Sequence, residues 1–215
     1  MSTWDGLKAD THRQFGRYSA ALALKGFLTR RTFRPVVTMR LCQAARDGGG
    51  AGRLLLPALK LLHRMATHGA AMDLPWGAQI GPGLALTHGW GTVVSPGVRI
   101  GRNVTLFHGA TLGRRDRIGA NGERDIGYPT LEDEVWVGPH AMIVGGVTIG
   151  RGSRIGGGAF VSADVPPYSV VAGNPSSIVK SNCVPDVMNP APQPLASNQE
   201  VAPCLSNPER ISERP

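Results

Sequence analysis

Two histidines and one aspartate are spaced so that they can share a site. His88 lies two residues beyond the apolar Leu86, and His108 lies two residues beyond Leu106. If Leu86 and Leu106 hold equivalent places one turn apart in a repeating structure, the two imidazoles become near neighbours, because adjacent strands run about 4.8 Å apart. Asp73 precedes another such residue, Leu74, and is expected to close the coil beneath His88 on the same face. A carboxylate against an imidazole fixes its tautomer and stabilises the imidazolium, which is what a base that deprotonates a hydroxyl requires. Solvated residues at a corner are the plainer reading of the same spacing.

The element that must position these groups is a six-residue repeat. Aliphatic residues recur at Val137, Ile143, Ile149, Ile155 and Val161, and upstream at Leu74, Ile80 and Leu86. After a two-residue insertion at WGT the series continues as Val94, Ile100, Leu106 and Leu112, then resumes at Leu131. Such a period fits neither a helix nor a simple alternating strand. It predicts an all-β solenoid of triangular section, in which each step is one short strand and a corner and three steps make a coil. The period is lost in an insertion loop over residues 113–130, which is expected to leave the coil beside the histidines. His140 falls three places after Val137 and is expected to be out of phase, leaving two imidazoles where a zinc site of the γ-carbonic-anhydrase type needs three.

The 215 residues divide into an N-terminal helical cap over 1–70, the solenoid over 71–180 and a Pro-rich tail over 181–215, expected to be disordered. Helices are predicted over 20–29, 35–46 and 54–65, the last two separated by the breaker DGGGAG. The leucine stripe of the last helix is expected to pack against the open end of the solenoid; contact with a membrane surface is the alternative. The formal charge of +8 comes from 23 Lys+Arg against 15 Asp+Glu. No aromatic-interleaved basic stripe accompanies that charge, which argues against nucleic acid. The three cysteines match no metal or redox spacing, and no apolar run is long enough to span a membrane. A cytoplasmic protein without a metal is expected.

The stretch from Asp73 to Lys180 resembles the hexapeptide-repeat acyltransferases, and within them the serine acetyltransferases and the O-acetyltransferases of capsule and exopolysaccharide clusters. The segment MDLPWGAQIGPGLALTHGWGTVV is similar to the one that carries the family's catalytic Asp and His, which maps those roles onto Asp73 and His88. NVTLFHGATLG and the run from VWVGPHAMIVGG to NPSSIVK resemble the later coils that hold coenzyme A. The resemblance implies a left-handed parallel β-helix, acetyl-CoA as acetyl donor, a homotrimer, and cofactor-wall positions at Pro139, Arg154, Gly157 and Lys180. It also sets Thr87, His108 and Tyr128 on the acceptor side. Serine acetyltransferases carry an acidic residue where this chain has Thr87, and an Arg-His pair before a Pro where it has Gly127-Tyr128-Pro129. The segments DTHRQFGRYS and RTFRPVVTMRLCQ resemble the polysaccharide-type enzymes. A sugar hydroxyl is therefore the expected acceptor, with L-serine as the alternative and a non-catalytic scaffold as the reading of another class.

Overall fold

A computed structural model describes residues 3–192. Four helices come first: α1 (Thr3–Phe15), α2 (Ala20–Thr29), α3 (Phe33–Asp47) and α4 (Gly49–Ala70). Sixteen short strands follow. They are β1 (Gln79–Ile80), β2 (Ala85–Thr87), β3 (Val93–Val94), β4 (Arg99–Ile100), β5 (Thr105–Phe107), β6 (Thr111–Gly113), β7 (Arg115–Ile118) and β8 (Arg124–Gly127). The second half comprises β9 (Thr130–Leu131), β10 (Trp136–Val137), β11 (Met142–Val144), β12 (Thr148–Ile149), β13 (Arg154–Ile155), β14 (Phe160–Val161), β15 (Val170–Ala172) and β16 (Ser177–Lys180).

Successive strands of the repeat fall on three parallel sheets in strict rotation. Face I stacks β1-β4-β9-β12, face II β2-β5-β10-β13-β15, and face III β3-β6-β11-β14, while β16 closes the end of face II as an antiparallel strand. The register pairs Leu86 with Leu106 and Leu106 with Val137, so the repeat aliphatics stack in columns. Leu106, Leu112, Val137, Ile143, Ile149 and Ile155 are fully buried. Each step buries two side chains, the repeat aliphatic and a smaller residue four places on, such as Val98, Val104, Val135 or Ala141, so the buried pattern recurs every six residues.

The cap shares this core. Phe33, Val36, Met39, Ala70 and Met72 join the coil aliphatics in one continuous cluster. Helix α2 begins at the N-cap Ser19, whose hydroxyl accepts from the Leu22 amide. Residues 3–15 add a helix to the expected cap, and one expectation is corrected: α4 starts at Gly49, inside the segment taken as a breaker. A Cβ on Gly52 would stand 2.6 Å from the Ala45 carbonyl oxygen, so this glycine permits close approach of α3 and α4. The leucine stripe does not seal the solenoid. Leu54, Leu55 and Leu61 are exposed, and α4 turns His63 inward instead.

The insertion is a hairpin of β7 and β8, and it leaves the coil between β6 on face III and β9 on face I. The histidines follow the strands of face II, so within one chain the whole width of face III separates them from the hairpin. The expected tail also departs from disorder where it is described. Residues 181–192 form a strap: Asn103 bonds the Ala191 backbone twice, Arg13 donates to the Met188 carbonyl, and Arg154 pairs with Asp186 at 2.9 Å. Residues 193–215 lie outside the described part of the chain.

Candidate active site

His88 sits where the chain turns from face II to face III. It adopts φ +62° and Gly89 follows at +57°, a left-handed pair that reverses the backbone sharply. For a residue with a Cβ this conformation costs about 1–2 kcal/mol, so neighbours must hold it. They do: the His88 carbonyl accepts from the Trp90 amide at 2.9 Å and from the Arg31 guanidinium. Arg31 also donates to the Ala70 carbonyl and stacks 3.6 Å over the Trp90 ring. A Cβ on Gly89 would collide with Met72 and Thr32, so the cap presses directly on this corner.

The histidines form a column along the edge. His108 stacks on His88 at 6.0 Å between ring centroids, as the spacing predicts. His140 then packs on His108 at 5.0 Å, correcting the expectation that it lies out of phase. The reason is local: the amide of His140 donates to the His108 carbonyl, and Gly109 has no Cβ to block the ring. Both contacts are edge-on, and among the described residues no group of three or more His, Cys, Asp or Glu is set to hold a metal ion. The Nδ1 atom of His108 is buried without a hydrogen-bond partner among the described residues.

Asp73 is placed differently from the expectation. It bridges to Val93, beneath face III, and not to the face II strand that leads into His88. Leu74 is two steps before Leu86, and three are needed to return to the same face. Asp73 thus approaches the histidine corner from the far side of the turn, and no hydrogen bond joins the two side chains in this conformation.

Beside His88 opens a cavity of about 620 Å³. Thr87, Phe107 and Trp136 line it from face II, Arg13 and Arg31 from the cap, and Asp186 and Met188 from the strap. Phe107 and Trp136 lie 4.8 Å apart, centroid to centroid. Burial pushes the Arg13 guanidinium down to about 10 against the pull of Asp10 and Asp186, while it donates to Thr105 at 2.6 Å and to the Gly83 carbonyl. Arg31, Trp90, Phe107, Trp136 and Asp186 were not singled out from sequence. Phe107 and Trp136 carried a usable signal, being aromatics next to the inward Leu106 and Val137.

The remaining expected site residues divide by face. Pro139 and Gly157 continue the corner that carries the histidines, with Gly157 tucked against the Pro139 carbonyl. Arg154 lies on face II, faces Trp136 and is held by Asp186. Lys180 ends β16 and is exposed. Tyr128 is not gathered at His88. It lies flat over Gly97, near Arg114, and lines a separate cavity at the base of the hairpin. Arg114 holds the Asp116 carboxyl below its usual range by hydrogen bonding.

The bacterial transferase hexapeptide (six repeats) family matches residues 128–163. The chain is 36% identical to the serine acetyltransferase of Staphylococcus xylosus over 123 residues, 57% of this chain and 55% of that protein. Residues 128–163 thus carry hexapeptide repeats, and the chain is similar to the serine acetyltransferases. This serine acetyltransferase-like chain is also 35% identical to serine acetyltransferase 4 of Arabidopsis thaliana over 161 residues, 75% of its own length and 41% of the plant protein. It spans about half the length of the curated relatives it matches. Among solved structures it superposes on soybean serine acetyltransferase complexed with serine with a TM-score of 0.63 and 29% identity, covering 83% of this chain and 70% of that one. The serine acetyltransferase of Brucella abortus in complex with coenzyme A gives 0.65 and 26% identity, covering 83% and 68%. Among the described residues no helix is long and apolar enough to cross a membrane.

Proposed function

We propose that the chain is an acetyl-CoA-dependent O-acetyltransferase on a left-handed parallel β-helix, with His88 as the general base. The observation that carries this reading is the position of His88. It stands on an exposed corner at the mouth of the 620 Å³ cavity, and its carbonyl is clamped by Arg31. Pro139 and Gly157 extend the same corner, and face II ends at Lys180. Five strand steps separate β2 from β16, roughly 24 Å at about 4.8 Å each, a track suited to a long donor substrate. Its thioester end would lie at His88 and its phosphate end near Lys180 and Arg154.

The imidazole of His88 takes the proton of the acceptor hydroxyl as its oxygen bonds to the acetyl carbonyl carbon; collapse expels the coenzyme thiolate, to which the imidazolium returns the proton. Asp73 orients and stabilises the imidazolium after a small closure of the turn between them. A base in this role contributes about 10²–10⁴-fold. A homotrimer would bring the hairpin and Tyr128 of one subunit to the histidine corner of the next, supplying the acceptor wall that a single chain leaves open.

The names of the relatives favour L-serine as acceptor. A second reading, a saccharide hydroxyl, is favoured by the side chains: Thr87 offers no charge for an amino group, while Phe107, Trp136 and Trp90 offer aromatic surface to the apolar face of a sugar ring. Release of free thiol from acetyl-CoA by the full chain, with L-serine and with a panel of sugars, tests both. Turnover lost in His88→Ala supports the assignment, and the acceptor that elicits it selects between the two. Turnover retained in His88→Ala would remove His88 as base.

A further inference from the structure

We infer that α4 is a docking surface for an anionic lipid bilayer, a property that does not depend on the proposed activity. The helix is 22 residues long and divides cleanly into three arcs. His63 and Ala70 point inward and are buried. Leu54, Ala58, Leu61 and Met65 recur at the spacing of one helical face, with Leu55 and Leu62 beside them. Leu54 is 83% exposed, Leu55 and Leu61 are each 61%, and Met65 is 64%. Scattered leucines are ordinary on a surface; a contiguous row of this kind marks a contact.

What the row contacts is indicated by its border. Arg53, Lys60 and Arg64 lie along one flank of the stripe, all exposed, and α4 contains no Asp or Glu. A second copy of the helix is a poor match. Pairing two such stripes across a two-fold axis sets the basic flanks of both copies at one interface with no carboxylate on either helix to separate them. An anionic interface suits the same pattern: the leucines enter the boundary between headgroups and acyl chains, and the long basic side chains reach the phosphates at its level. The cap would then lie on the membrane with the solenoid pointing away, because the opposite arc of α4 is the one packed on the core through His63.

The test is flotation of the full-length protein with vesicles. One set is phosphatidylcholine, the other phosphatidylcholine with roughly a third anionic phosphatidylglycerol, which gives the surface a negative potential. The expected result is flotation with the anionic set. At about fivefold for each basic residue near the surface, three residues make partitioning to the neutral set roughly a hundredfold weaker. Leu61→Gln/Met65→Gln should lose at least tenfold on anionic vesicles while leaving thermal unfolding unchanged, since both side chains are exposed. Arg53→Gln/Lys60→Gln/Arg64→Gln should erase the preference for the anionic set. Absence of flotation at low salt overturns the inference. Flotation unchanged in the leucine-methionine variant also overturns it, leaving only non-specific charge adsorption. A smaller oligomer in that variant by light scattering, with flotation unaltered, would instead assign the stripe to a second copy of the chain.

Discussion

Removing the Asp10 carboxylate should undock the cap from the solenoid. Asp10 is fully buried on α1, and every hydrogen bond of its carboxylate crosses an element boundary. Its oxygens accept from Arg40 Nε on α3 at 2.7 Å and from the Gly83 and Leu84 amides of the first coil at 2.8 and 2.9 Å. Arg40 in turn donates to the Ile80 carbonyl at 2.8 Å and the Gly81 carbonyl at 2.6 Å. Asp10→Ala strands a guanidinium that is 6% exposed, together with two coil amides. Breaking a buried pair by removing one partner costs about 3–5 kcal/mol. That is a large part of a total stability of about 5–15 kcal/mol. Replacing both partners, as in Asp10→Ala/Arg40→Leu, should recover more than half of the loss, because an apolar pair carries no desolvated charge. Equilibrium urea unfolding followed by helical circular dichroism measures both. The reasoning fails if the single variant loses less than about 1 kcal/mol, or if the double variant is no more stable than the single one; the first figure is the ceiling for an exposed pair.

Further outcomes follow from other contacts. His63 donates through Nε2 to the Leu74 carbonyl at 2.7 Å, and burial pushes its pKa below the ordinary value, the hydrogen bond opposing only in part. The unfolded chain therefore binds the proton first, so stability holds above the unfolded pKa of about 6.5 and falls as pH drops through it. Urea midpoints at neutral and mildly acidic pH should show that slope in the wild type and a weaker one in His63→Gln. Gly109→Ala places a Cβ 2.2 Å from His140 Nδ1 at a φ of +67°, so at least the left-handed cost of about 1–2 kcal/mol should appear in thermal unfolding. An unchanged midpoint would mean that the histidine column is not packed as described. Asp186→Ala breaks an ion pair with partners 40% and 50% exposed, so stability should move by less than about 1 kcal/mol. If Arg154 belongs to the donor track, calorimetry should show coenzyme A binding a few-fold tighter once it is released, as expected for one charge-assisted contact; no change would take Arg154 off that track.

The coil was legible because each step puts the same two positions, a large aliphatic and a smaller residue four places on, into a narrow interior. Leu106, Val137 and Ile155 stack as the period requires, and the His88–His108 pair follows from the same count. Counting failed where position depends on how many steps return the chain to a face. Leu74 is two steps from Leu86, which puts Asp73 under Val93. It failed again at His140, which lies one place later in a corner of equal length, opposite Gly109, whose missing Cβ leaves room for the ring. The glycines at 48–52 were read as a helix stop, whereas Gly52 serves the close contact of α3 and α4. In each case backbone packing between distant segments overrode a local signal.

The chemistry of the corner depends on parts that no repeat encodes. A left-handed His88 is tolerable only while Arg31 holds its carbonyl, and Arg31 is placed by a cap that Asp10 and Arg40 fasten to the first coil. The strap adds Asp186 and Met188 to the same cavity from more than ninety residues downstream. An undocked cap should therefore impair turnover before the coil itself unfolds. In Asp10→Ala, the proposed thiol release should disappear at a urea concentration where the strand signal of the coil in far-ultraviolet circular dichroism is still native. If activity and the strand signal fall together, cap and coil unfold as one unit and the clamp on His88 has no separate role.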